Sequence, residues 1–100
     1  MSTLRVLLHA PTADGLARAR RNARNLIKSR PGAEVLIIAN GGAVAAALAE
    51  PDPDSDGWLR LCRNTLNAQG LDKPAGLEEV EAAVVTLAEL QADGWAYIRA

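Results

Sequence analysis

Glu34-Val35-Leu36-Ile37-Ile38-Ala39-Asn40, followed at once by Gly41-Gly42, is the stretch that decides the fold. Five apolar residues in unbroken succession, three of them β-branched, read as a strand buried on both faces. Such strands belong to parallel sheets covered by helices on either side. The paired glycines turn the chain into an alanine-rich helix over Ala43–Ala49. Upstream, Leu4-Arg5-Val6-Leu7-Leu8-His9 is a second strand of the same kind, stopped by Ala10-Pro11. Between the two strands, Leu16, Ala19, Ala23, Leu26 and Ile27 recur at helical spacing, with Thr12 or Asp14 available as a cap and Arg30-Pro31-Gly32 as the stop.

Downstream, Glu50–Gly57 is a polar loop and Trp58–Cys62 a third strand, interrupted by Arg60. A short helix then runs from Asn64, its expected cap, to Gln69, and Gly70 ends it. Periodicity alone makes Leu77–Asp93 one helix, because Leu77, Val80, Val84, Leu87 and Gln91 share a face; Trp95–Arg99 is a closing strand. Strand–helix alternation with continuous apolar strands predicts a single three-layer α/β domain over residues 1–100. Its sheet is mainly parallel and five-stranded, in the flavodoxin-like order 2-1-3-4-5.

One hundred residues suffice for one core and not for two. Phenylalanine is absent, so Leu, Val, Ile and Ala must fill the interior. A net charge of −1 argues against holding nucleic acid by bulk electrostatics. The arginines of the first helix are expected to form an ordinary exposed face. No apolar run approaches the ~20 residues of a membrane span, and residues 1–10 lack the pattern of a signal peptide. One cysteine makes no internal disulfide, and the expectation is a cytoplasmic protein with no membrane partner.

The chemistry-bearing residues fall at strand ends. His9, Asn40 and Cys62 each close a strand and must share one edge of a parallel sheet. In the order 2-1-3-4-5 the first and third strands are neighbours, so His9 and Cys62 flank the switch-point crevice, ~4.8 Å apart from strand to strand. There an imidazole can take the thiol's proton. A thiol at a helix N-terminus is also biased toward thiolate. Cys62 and His9 are therefore the expected catalytic pair, and Asn40, Gly41 and Asn64 the expected ligand-binding residues. Against this stand inert alternatives: a buried cysteine, a structural histidine, and a glycine pair serving only as a strand exit.

Other signals weaken on inspection. Asp52-Pro53-Asp54-Ser55-Asp56-Gly57 mimics a calcium loop, but Arg63 occupies the twelfth position, where a bidentate glutamate belongs. A solvated acidic loop is the expectation. One Cys and one His cannot complete a zinc site, so no metal is expected. No dinucleotide fingerprint, P-loop or nucleophile elbow is present, and no cofactor is implied.

Cys62-Arg63-Asn64-Thr65-Leu66 with Gly70, and Leu90-Gln91-Ala92-Asp93-Gly94-Trp95-Ala96-Tyr97-Ile98, resemble the DsrE/DsrF-like family. The strand ending in His9, the Asn22–Leu26 region and the strand ending in Asn40-Gly41 fit as well. The resemblance implies a small α/β fold assembled as a homotrimer or homohexamer. It also implies a cysteine matching Cys62 that carries sulfur as a persulfide between a donor and an acceptor protein. It further places a short fourth strand near Leu77–Val80 and a helix from about Ala82 to Asp93, although Glu78, Glu79 and Glu81 crowd that strand where the family is more apolar. Sulfur relay is then the leading expectation. A non-catalytic oligomeric module with an unreactive cysteine is the alternative, and a nucleotide or phosphate binder using Gly41-Gly42 is the third.

Overall fold

Residues 3–100 are described by a computed structural model. Alternate residues of the two central strands point to opposite sides. In β1 (Arg5–Ala10), Val6, Leu8 and Ala10 enter one core and Leu7 the other; in β2 (Glu34–Ala39), Val35, Ile37 and Ala39 enter the first and Ile38 the second. The larger core lies under α1 (Ala13–Ser29) and α2 (Gly42–Ala49), and Leu66 of α4 (Arg63–Ala68) joins it. The smaller one lies under α5 (Ala83–Ala92), through Ala83 and Leu87. The remaining elements are the one-turn helix α3 (Pro53–Asp56) and the strands β3 (Leu59–Cys62), β4 (Glu78–Val80) and β5 (Ala96–Arg99).

All strand pairs are parallel, and the order is β4-β3-β2-β1-β5. The α/β class and five-stranded parallel sheet are as the sequence predicts, but the order 2-1-3-4-5 is not. The reason is packing. The small side chains of α2 (Ala43, Val44, Ala47) bury in the same core as Leu16, Ala19 and Ala23 of α1. Right-handed crossovers whose helices share one face must step in one direction, so β3 lands beyond β2 rather than beside β1. Only α5 crosses on the other face, and it carries the chain back to the free edge of β1.

The short fourth strand near Leu77–Val80 and the helix from about Ala82, as the resemblance implied, are what form, in place of the single helix that periodicity gives. Leu77–Asp93 is not one helix, because the edge of β3 takes a hydrogen-bonded partner from Glu78–Val80 before α5 begins. The fourth strand tolerates its glutamates because it is an edge: both are exposed, and Glu79 forms a two-pronged pair with Arg63 at 2.6 and 2.5 Å. The cap of α4 is Cys62 rather than Asn64.

The acidic loop is solvated only in part, with Asp54 exposed but Asp52 and Asp56 half-buried, and the first helix is not simply basic and exposed. Arg20 is only 7% exposed, and its guanidinium donates to Asp56 at 3.0 Å. Arg24 pairs with Asp52, which also accepts from the Ser55 hydroxyl at 2.9 Å, while Ser55 itself is buried. The residues that imitate a calcium loop thus clamp the α2–β3 connection onto α1. Burial pushes the Asp52 carboxyl up, but its bonds to Arg24 and Ser55 and the nearby charge of Arg20 outweigh that and hold it below the ordinary value. A lowered folded-state pKa gives stability that is full above the unfolded value of ~3.9 and is lost as pH falls through the folded one. Asp52→Asn should therefore lower stability at pH 7 by ~1–2 kcal/mol and flatten the loss below pH 4, as read by urea melts across pH 3–7.

Candidate functional site at the carboxyl edge of the sheet

Strand β3 gives way to helix α4 with no intervening residue, so Cys62 is at once the last strand residue and the helix cap. Its side chain points to the α5 side, among Leu7, Ile38, Ala83 and Leu87. Helix α4, packed on one face, follows β3; helix α5, packed on the other, follows β4. Divergent connections from adjacent strands define a topological switch point. The crevice therefore opens between β3 and β4, at Cys62 and its register partner Val80, and not between β1 and β3.

The sulfur lies between two helix beginnings. Helix α5 starts after Ala82 with no side-chain cap, and the backbone N–H of Ala83 donates to Sγ at 3.4 Å. The first turn of α4, through the N–H groups of Thr65 and Asn64 and the Thr65 hydroxyl, biases the same sulfur toward thiolate, while the full hydrogen bond to it comes from Ala83. Burial leaves Cys62 5% exposed and pushes its thiol up, yet these donors, Ala83 foremost, bring it below the ordinary value. Each donor is stronger toward thiolate than toward thiol, which is how helix N-termini activate cysteine. The thiol is free.

His9 does not reach this sulfur. Strand β2 lies between β1 and β3, so two interstrand spacings, ~9.6 Å, separate them. Both ring nitrogens are engaged elsewhere: Nδ1 with the Tyr97 hydroxyl at 2.6 Å and Nε2 with Asn40 Oδ1 at 3.0 Å. Because Oδ1 only accepts, Nε2 carries a proton, and in the neutral ring Nδ1 accepts from the tyrosine hydroxyl. The predicted His9–Cys62 pairing fails because it required the order 2-1-3-4-5. Asn40 occupies the intervening place, one step past the Ala39–Leu61 pair and so level with Cys62.

Gly41 has φ +53°, a value that favours glycine, and an added Cβ would stand 2.8 Å from the Pro11 carbonyl oxygen. Its N–H donates to Thr65 Oγ1 at 3.3 Å, which ties the β2–α2 turn to the hydroxyl beside Cys62. Asn64 contributes its backbone N–H, while the residue as a whole is exposed. Of the five residues expected at the site, Cys62, Asn64 and Gly41 converge on the sulfur directly or through Thr65. Asn40 joins His9 in a separate polar row. Thr65, Ala83 and Tyr97 were not foreseen. Thr65 was within reach of sequence reasoning, since it lies in the first turn after a cysteine cap. Ala83 acts through its backbone and leaves no chemical signature, and the closeness of Tyr97 to His9 depends on β5 returning beside β1. Among the described residues, no group of three His, Cys, Asp or Glu side chains is placed to hold a metal ion, and no helix is long and apolar enough to cross a membrane.

Fold and site together define a small all-parallel α/β domain with one free thiol at its switch point. No family model and no curated protein matches the chain. Among solved structures it is similar to a protein of unknown function, MTH1491 from Methanobacterium thermoautotrophicum, with 25% identity and a TM-score of 0.81 over 97% of this chain and 99% of that one. That likeness extends to the whole architecture and carries no activity.

Two outcomes follow. The rate of Cys62 alkylation against pH should have its midpoint below the ~8.5 of a free thiol; Thr65→Val should move it upward and Thr65→Ser should restore it. Gly41→Ala should destabilise the fold by ~1–3 kcal/mol, measured by thermal or urea unfolding.

Proposed function

We propose that the protein handles sulfur, carrying sulfane sulfur as a persulfide on Cys62. The observation that carries this reading is a free sulfur at the strand-to-helix junction that accepts the Ala83 N–H at 3.4 Å, with the first turn of α4 adding to a downward bias on its pKa in spite of burial. The step is a sulfur transfer without net redox change. The Cys62 thiolate attacks the outer sulfur of a donor persulfide, a new S–S bond forms, the donor's own S–S bond breaks, and the donor leaves as a thiolate. An acceptor nucleophile then removes the outer sulfur by the same displacement. The N–H groups that hold the thiolate also suit the persulfide anion, because a persulfide ionises more readily than a thiol. With a single cysteine, no second internal thiol can discharge the persulfide as a disulfide. His9, held in a separate polar row with Asn40 and Tyr97, is not the base on sulfur in this reading. A reducing cytoplasm, with a donor and an acceptor protein as partners, is the setting such a carrier needs.

The rival reading, a binding module whose cysteine is inert, draws on the 5% exposure of Cys62. One experiment separates the two. Native protein incubated with a polysulfide donor and weighed intact should gain one sulfur atom, and Cys62→Ala should gain none. If the native protein takes up no sulfur while the urea-unfolded chain alkylates fully, the relay reading is wrong and the module stands.

A further inference from the structure

Two apolar surfaces have no partner among the described residues, and their rims carry opposite charge. The first is a groove. Helix α1 covers β1 and β2, and α2 and α4 extend that layer away from β5, so no helix covers the α1 side of this edge strand. Leu4, Val6, Leu8 and Ile98 line a groove of about 630 Å³ walled by Leu26 and Arg30; Leu4 is 45% and Ile98 46% exposed. Its helical wall is basic. Arg18 and Arg21 stand one turn before Asn22 and Asn25 of that wall, Lys28 one turn after Asn25, and these three cations and Arg30 are exposed and make no ion pair among the described residues.

The second surface is the outer face of α5. Val84 is 73% and Val85 51% exposed, and Ala88 lies one turn beyond Val84. A helix that buries Ala83 and Leu87 on one side is expected to be polar on the other; this one is apolar there. Exposed Glu81 and Glu89 flank the patch, and no Lys or Arg occurs between Leu77 and Trp95.

We propose that the outer face of α5 seats in the β5–α1 groove of a second copy of this chain, with Glu81 and Glu89 against the cations of α1. Shape and charge select the same occupant: a convex apolar ridge with acidic flanks for an apolar groove with a basic wall. Ridge and groove lie on opposite faces of the sheet, so the contact is head to tail. Each molecule offers one of each, and the contact repeats until a ring closes. This inference is independent of the sulfur reading.

Light scattering coupled to size exclusion tests it. Wild type should exceed the monomer mass, whereas Val84→Asp and Ile98→Asp should each run as folded monomers by circular dichroism. Mixed one to one, the two variants should form dimers and nothing larger, because one keeps only its groove and the other only its ridge. Replacing Glu81 and Glu89 by Lys should also dissociate the assembly, and adding Arg18→Glu with Arg21→Glu should restore it. A monomeric wild type, a mixture that stays monomeric, or an assembly indifferent to both single variants would overturn the proposal.

Discussion

The parallel pairing of β1 with β2, six residues against six from Arg5–Glu34 to Ala10–Ala39, is the constraint from which the rest of the molecule follows. Both strands are buried on both sides, so neither can shift register by one residue without turning its entire apolar set to the opposite core. That pairing leaves one free edge on each strand. Helix α2, small enough to nest beside α1, commits β3 to the far side of β2, and the only edge then open to the last strand is that of β1. Strand order thus follows from the face on which each connecting helix packs.

The site inherits its character from this arithmetic. With three crossovers on one face and one on the other, the divergence of the chain falls at β3 and β4, where α4 and α5 begin within a few ångströms of the same sulfur. Dehydration alone would make Cys62 a poor acid. Oriented backbone N–H groups, already fixed by the two helices, reverse that without any charged neighbour. An imidazole is not needed for the purpose, and His9 is instead held between Tyr97 and Asn40.

The charged residues divide the same way. Arg20, Asp52 and Asp56 are drawn inward because the α2–β3 connection must lie flat on α1, and each loses water only in company with its counter-ion. Arg18, Arg21, Glu81 and Glu89, on turns that face outward, stay solvated. Sequence spacing does not distinguish Arg20 from Arg21; only the helix phase against the sheet does.

What the sequence determined by itself is the class of fold, the number of strands apart from the ambiguous fourth, and the identity of the residues at the carboxyl edge. These depend on local patterns: unbroken apolar runs, helical spacing, and stops at Pro11, Gly32, Gly70 and Gly94. The tertiary structure alone decided which strand ends are neighbours. It put Asn40 between His9 and Cys62, brought Tyr97 to His9, and turned an apparent calcium loop into an ion-pair clamp. Adjacency in a sheet is set by how helices pack across its faces, a sum over many weak long-range contacts that no short window of residues contains.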